Sequence, residues 1–181
     1  MKYSTLKRTD DGSYYSSIRT DCDEPMTIRL NDVKLTDGVI DGDEDVWFTY
    51  TSEADNGIAL AEESIVNDIK ADPVRWFGKN VKEKTIDSSF TSNFPQNGQF
   101  QVVKSSGLKV FNKTTKEVWN EEVSFNDDDT CDILVQLQGI SFFKRSFQVI
   151  LKLQQVQVTP KTEPEEICHD DWVMGDYGFQ D

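Results

Sequence analysis

Residues 131–158, CDILVQLQGISFFKRSFQVILKLQQVQV, constrain the fold more than any other stretch of this chain. Ile133, Val135 and Leu137 share one parity while Gln136 and Gln138 take the other, the pattern of a strand packed on one face. Gly139 breaks that alternation, because Ile140 and Phe142 fall on the opposite parity. A glycine at a phase change predicts a bulge or a sharp coil of the strand. On the return arm Phe147, Val149, Leu151 and Leu153 stay in phase, and the phase shifts again at Gln154–Gln155 before Val156 and Val158. Two long arms that each change face midway predict a strongly curved sheet, since strands must bend to close a barrel.

The rest of the chain reads as further short strands around one helix. Met26, Ile28 and Leu30 alternate, and Val33 and Leu35 resume after Asn31-Asp32, which predicts a bulged strand or a hairpin. An acidic turn at 41–45 precedes a short strand at 46–50. Ile58, Ala61, Ile65, Val66 and Ile69 recur at three and four, predicting a helix over 59–71 capped by Asp55 or Asn56 and closed by Pro73. Residues 85–98 read as a polar loop with an Asn97-Gly98 turn. Residues 100–104 and 108–111 read as a hairpin through Ser105-Ser106-Gly107, and 118–125 as another strand. Residues 1–24 are polar, a loose arm or an edge strand. The expectation is a mostly β chain of about six strands and one short helix, a small closed or partly open barrel with insertions. Residues 1–160 would form one domain and 161–181 a flexible acidic tail.

Several function classes lack their signatures. The N-terminus has no apolar segment of a secretory signal, and no apolar run approaches membrane-spanning length, so the expectation is a soluble intracellular protein. Cys22, Cys131 and Cys168 are odd in number and far apart, which argues against a disulfide framework. Gly78-Lys79 lacks the rest of a P-loop, and no G-x-S-x-G elbow occurs. The one histidine, His169, stands in the acidic tail beside Cys168 without a second ligand pair. Asp41, Asp43 and Asp45 begin like a calcium loop, but Val46 and Ser52 stand where it needs Gly and Glu. The expectation is no enzyme, no metal and no cofactor.

Charge is distributed unevenly. The formal net charge is −14, yet residues 70–116 hold nine basic side chains against three acidic ones. From Ser88 to Lys116 there is no acidic residue. A cationic stretch interleaved with aromatics is the composition of a groove that tracks phosphates and stacks bases. The candidate nucleic-acid contacts are Trp76, Phe77, Lys79, Lys82, Lys84, Lys104, Lys109, Phe111, Lys113 and Lys116, with Lys144 and Arg145 at the tip of the opening hairpin. Parity puts Lys109 and Phe111 on one face, as a phosphate contact beside a stacking ring would be. The block carries the heavier cationic load, so residues 131–158 are expected to be mainly barrel wall, with their tip as a clamp.

From Thr162 onward the chain has seven acidic residues and no Lys or Arg. Trp172, Tyr177 and Phe179 stand among Asp170, Asp171 and Asp176. Anions with interspersed flat rings offer the same features as single-stranded DNA, so such a tail can occupy a basic groove or a basic partner.

Val135-Gln136-Leu137-Gln138-Gly139-Ile140-Ser141-Phe142, followed by basic residues and the return strand to Val158, resembles the last hairpin of the OB-fold single-stranded-DNA-binding proteins of short-tailed phages and some large DNA viruses. The likeness covers 131–158 and the character of the tail. It departs at the C-terminus, where Gln180 and Asp181 follow the last aromatic, and in the acidity of the first third. The resemblance implies an OB-fold-like, partly open Greek-key barrel. It also implies sequence-independent binding of single-stranded DNA in replication, recombination or repair, in the cytoplasm or nucleus of an infected cell if the protein is viral. The tail would compete with DNA and recruit replication proteins such as a DNA polymerase. A homodimer is a further partner expectation, separate from the resemblance. The rival reading is a non-enzymatic acidic inhibitor or DNA mimic, whose first 69 residues carry 16 acidic against six basic side chains.

Overall fold

A computed structural model describes residues 1–37, 46–50, 57–93, 98–118 and 130–158. In chain order the elements are β1 (Lys2–Tyr3), β2 (Lys7–Arg8), β3 (Tyr14–Arg19), β4 (Met26–Asp37), β5 (Val46–Tyr50), α1 (Gly57–Ala71), α2 (Pro73–Phe77), α3 (Glu83–Ser89), β6 (Phe90–Thr91), β7 (Gln99–Asn112), β8 (Thr130–Phe142) and β9 (Phe147–Val158).

Five of these strands close on themselves. β4 pairs with β5, β5 with β7, β7 with β9, β9 with β8 and β8 again with β4. All are antiparallel except β7–β9, which is parallel. This is the five-stranded Greek-key path of an OB-fold barrel, and the expected fold class stands. The interior is filled by the inward parity of each strand: Leu30 and Val33, Val46 and Phe48, Phe100 and Val102, Val135 and Leu137, Leu151 and Leu153, all buried. Phe48 and Phe100, in register on β5 and β7, stack with centroids 5.8 Å apart. Each such buried side chain contributes about 1.5–3 kcal/mol relative to exposure.

The two phase changes of the long hairpin are bulges. Leu134 pairs with Gln155 but Val135 with Leu153, which leaves Gln154 as the extra residue. The second shift lies between Leu137 and Gly139. It falls where one edge of β8 passes from β4, at Met26↔Leu137, to β3, at Ser17↔Gly139. A Cβ at Gly139 would lie 2.4 Å from the Ser16 carbonyl oxygen and 2.5 Å from the Tyr15 ring, so this crossing needs glycine. β4 is one strand with its bulge between Leu30 and Val33, where Asp32 takes φ 52°.

Two expectations are corrected, and the strand alternative for residues 1–24 holds. Residues 100–111 are not a hairpin: β7 runs through Ser105-Ser106-Gly107 as one strand. Between Lys104 and Lys109 it advances five residues while β9 advances two, from Leu153 to Gln155, so the segment is an enlarged bulge. The barrel can close only if the same strand reaches β9 on both sides of it. The polar stretch from 85 is helical through Ser89, and α2 and α3 add two helices to the one expected. Pro73 both ends α1 and starts α2, because its missing N–H suits a first helical turn. Residues 1–24 form three strands, with Ile18 and Ser16 buried where β3 extends the sheet beyond the barrel.

The turn at 41–45, the helix cap at 55–56, Phe94, Asn97, residues 119–129 and the tail beyond Val158 lie outside the described residues. No helix among the described residues is long and apolar enough to cross a membrane.

Candidate nucleic-acid interface

The end of the β8–β9 hairpin overhangs the barrel, flanked by β3 on one edge and β6 on the other. α2 is folded against this overhang. It begins where the Asp72 side chain accepts the Arg75 N–H at 3.2 Å, and it ends at Gly78, whose φ of 67° lets its N–H donate to the Val74 carbonyl at 2.9 Å. Trp76 stacks on Phe142 at 5.6 Å, and Phe142 stacks on Phe147 at 5.4 Å. Phe77 meets both phenylalanines edge-on, and Phe90 packs against Phe147 at 5.3 Å. Such ring pairs contribute about 0.5–1.5 kcal/mol each beyond area burial. They form a small aromatic core that fixes the distance between helix and hairpin.

Between the two lies a cleft of about 810 Å³. Its walls carry Arg75, Lys79 and Lys82 from the helical side and Lys144 and Arg145 from the hairpin tip, and no Asp or Glu. Lys79, Lys82, Lys144 and Arg145 have no ion-pair partner among the described residues. Arg75 is placed by its neighbours: its guanidinium lies 5.1 Å from the Trp76 ring centroid and 5.8 Å from that of Tyr3, and Nη2 donates to the Tyr3 carbonyl at 3.0 Å. The Tyr3 hydroxyl donates to Asp68, and burial first, then that hydrogen bond, pushes its pKa well above the ordinary phenol range. Tyr14 from β3 and Leu6 from the link between β1 and β2 complete the wall.

The linear block 70–116 is therefore not one surface. Trp76, Phe77, Lys79, Lys82, Lys144 and Arg145 come together in the cleft, with Trp76 and Phe77 as its floor. Lys84 is exposed on α3, outside the cleft lining. Lys104, Lys109 and Phe111 lie along β7 against the later half of β9, and Lys109 and Phe111 do share the outward face. Phe111 pairs with Gln157, ten residues along β9 from the cleft at Phe147, or roughly 33 Å of strand. Lys116, at φ 64°, is exposed in the turn after β7.

Lys113 belongs to a different construction. Its Nζ donates to Asp132 at 2.9 Å and lies 3.4 Å from Asp32, while Arg29 Nη2 donates to Asp132 at 2.9 Å. Asp132 is buried, which raises its pKa, but the hydrogen bonds from Lys113 and Arg29 outweigh burial and hold it below the usual carboxylate value. The hydrogen bond to Asp132 raises the pKa of Lys113. Here the lysine is an ion-pair partner that ties β7, β8 and β4 together at the far end of the barrel.

Sequence reasoning passed over Tyr14, Leu6 and the cleft-wall role of Arg75. The signal available was Tyr14-Tyr15 in an otherwise polar arm, where an aromatic pair has no helix or heptad to serve.

A model described as "Family of unknown function (DUF5871)" matches residues 31–176. The chain belongs to the DUF5871 family. The matched part contains β4 from Asn31 onward, the other four barrel strands, the three helices and the hairpin tip, whereas β1 to β3 and the first five residues of β4 precede it. No curated protein matches the chain. Among solved structures it is similar to the "Single-stranded DNA-binding protein from bacteriophage Enc34", at 13% identity and a TM-score of 0.46 over 94% of this chain and 97% of that one.

Proposed function

We propose that this DUF5871 protein binds single-stranded DNA without regard to sequence, with the cleft between α2 and the β8–β9 tip as its main contact, and that it serves DNA replication or recombination. The observation that carries this reading is the cleft lining: five cations, no carboxylate, and aromatic walls, in a chain whose net charge is −14. An acidic protein that gathers cations without pairing them holds a site for anions. The hairpin tip corresponds to the loop between the last two strands of the barrel, one of the loops with which OB folds hold oligonucleotides.

Residues 161–181 act as a competitor for this cleft. Val158 ends β9 at the opposite end of the strand from the cleft. A chain of eleven residues can reach about 36 Å at full extension, the length of a return along β9. In this reading Asp170, Asp171, Trp172, Asp176, Tyr177 and Phe179 are the groups that compete with DNA for the cations. DNA presents several phosphates to the cations at once and displaces the tail, which is then free for a replication partner such as a DNA polymerase.

Fluorescence anisotropy with a labelled oligo-dT at several salt concentrations tests the reading. Each neutralised phosphate contributes about −0.7 to the log–log salt slope, so the Lys144→Ala/Arg145→Ala pair should flatten it by about 1.4. A chain ending at Pro160 should bind more tightly than the full chain. Absence of binding at low salt would overturn strand binding in favour of an acidic inhibitor. An unchanged slope in the double variant would move the site elsewhere.

A further inference from the structure

We propose that Tyr14 and Phe143 form a base-holding pair at the mouth of the cleft, which makes its ligand a strand with unpaired bases. The N-terminal hairpin β2–β3 is then part of the binding site. This inference rests on the strand-binding reading above and adds what the site recognises.

Tyr14 pairs in register with Phe142, and directly opposed residues of antiparallel strands share a face. Phe142 turns to Trp76 within the aromatic core, so Tyr14 stands on the same side, at the rim. Phe143 follows Phe142 at the tip and lines the cleft from the hairpin. Tyr14 is 48% exposed and Phe143 47% exposed. Among the described residues neither ring contacts another aromatic, and the Tyr14 hydroxyl has no hydrogen-bond partner. Their neighbours Trp76, Phe142 and Phe147 are buried and each engaged by another ring.

Two free aromatic faces beside unpaired cations are the components that hold a nucleotide: the cation takes the phosphate and the ring takes the base. A duplex conceals its base faces within its own stack and can use only the cations. Arg8 pairs with Tyr14 across β2–β3, shares its face, and forms no ion pair among the described residues. It continues the cationic line past the ring. β2 and β3 precede residues 31–176, so this half of the pair comes from outside the family-matched part of the chain.

The test compares three labelled probes at one low salt concentration: oligo-dT, an abasic deoxyribose-phosphate strand of equal length, and the corresponding dT·dA duplex. The full chain should bind oligo-dT more tightly than the abasic strand, by about 5- to 150-fold for each stacked base. Tyr14→Leu and Phe143→Leu keep apolar bulk without a π face and should each remove a large part of that preference, while Tyr14→Phe retains it. Arg8→Ala should weaken both strands by the same factor. Equal binding of oligo-dT and abasic strand, or a preference untouched by Tyr14→Leu, would overturn the base-holding pair and leave strand binding intact. Failure to bind any probe would overturn strand binding itself.

Discussion

Gly139→Ala is the substitution whose cost the geometry defines most sharply. The new methyl carbon would sit 2.4 Å from the Ser16 carbonyl oxygen, about 1 Å inside ordinary contact, and the obstacle is backbone, which cannot rotate away. β3 must retreat from β8 by about that distance, or β8 must give up its bend. Overpacking of this kind costs about 1–3 kcal/mol. The retreat also stretches the hydrogen bond donated by the Tyr15 hydroxyl to the Gln138 carbonyl, now 2.8 Å, for about 1 kcal/mol more. A total of about 2–4 kcal/mol corresponds to a fall in melting temperature of about 4–16 °C for a chain of this size. Gly107→Ala is the control: nothing lies within 4 Å of its Cβ position, and it should change stability by less than about 1 kcal/mol. Urea unfolding and thermal melts followed by circular dichroism measure both. Equal stability of Gly139→Ala and the parent would refute the argument that β3 and β8 cross in contact at this residue.

Two further predictions concern charges away from the cleft. Glu62 is buried on α1 and accepts from the Ser92 hydroxyl and, at 2.9 Å each, from the Asn93 backbone N–H and side-chain amide. Burial raises its pKa above the ordinary carboxylate value and outweighs those bonds, so its ionisation disfavours the folded state: its share of stability is full at low pH and is lost as pH rises through the folded pKa. Glu62→Gln should remove that fall in a series of melts between about pH 4 and 7, with stability at neutral pH equal or higher; an unchanged pH profile would refute it. Lys113→Ala leaves buried Asp132 with Arg29 as its remaining cation and should destabilise by about 1–3 kcal/mol in urea, while the salt slope of DNA binding stays within about 0.3 of the parent. A flattened slope would place Lys113 on the DNA.

The barrel was legible because its longest hairpin writes its own bends into the sequence. The parity changes at Gly139 and Gln154–Gln155 are physical bulges, so alternation carried both register and curvature. The same rule failed at Ser105-Ser106-Gly107, where a turn-like tripeptide is a bulge because β9, some fifty residues later, holds the strand on both sides. α3 was obscured because its seven residues bury Ile86 alone among the core side chains, too little to make a helical period. Charge counting in the sequence cannot group the cations as the fold does. Lys113 and Lys79 look alike in a linear count, and only tertiary placement sets one against Asp132 and leaves the other in an acid-free cleft. Tyr14 reaches the cleft wall through a register with Phe142 across 128 positions of chain, which no local pattern records.

The pairing of β4 with β8 also sets the order in which the protein can assemble. Leu30 meets Ile133 across 103 residues, whereas Phe142 meets Phe147 across five. Loop-closure entropy makes the distant pairing about 3 kcal/mol more costly to initiate than the hairpin. During synthesis at about 5–20 residues per second, β4 leaves the ribosome roughly 5–20 s before β8. β5 can cover one of its edges soon after, but the other stays open for that interval. Along β4, Thr27, Arg29 and Asn31 alternate with Ile28 and Leu30 as exposed polar positions, and the bulge at Asp32 twists the strand. These are the features that keep an open edge from pairing with a neighbouring nascent chain. The bulge that shapes the finished barrel is thus also a safeguard for the unfinished one.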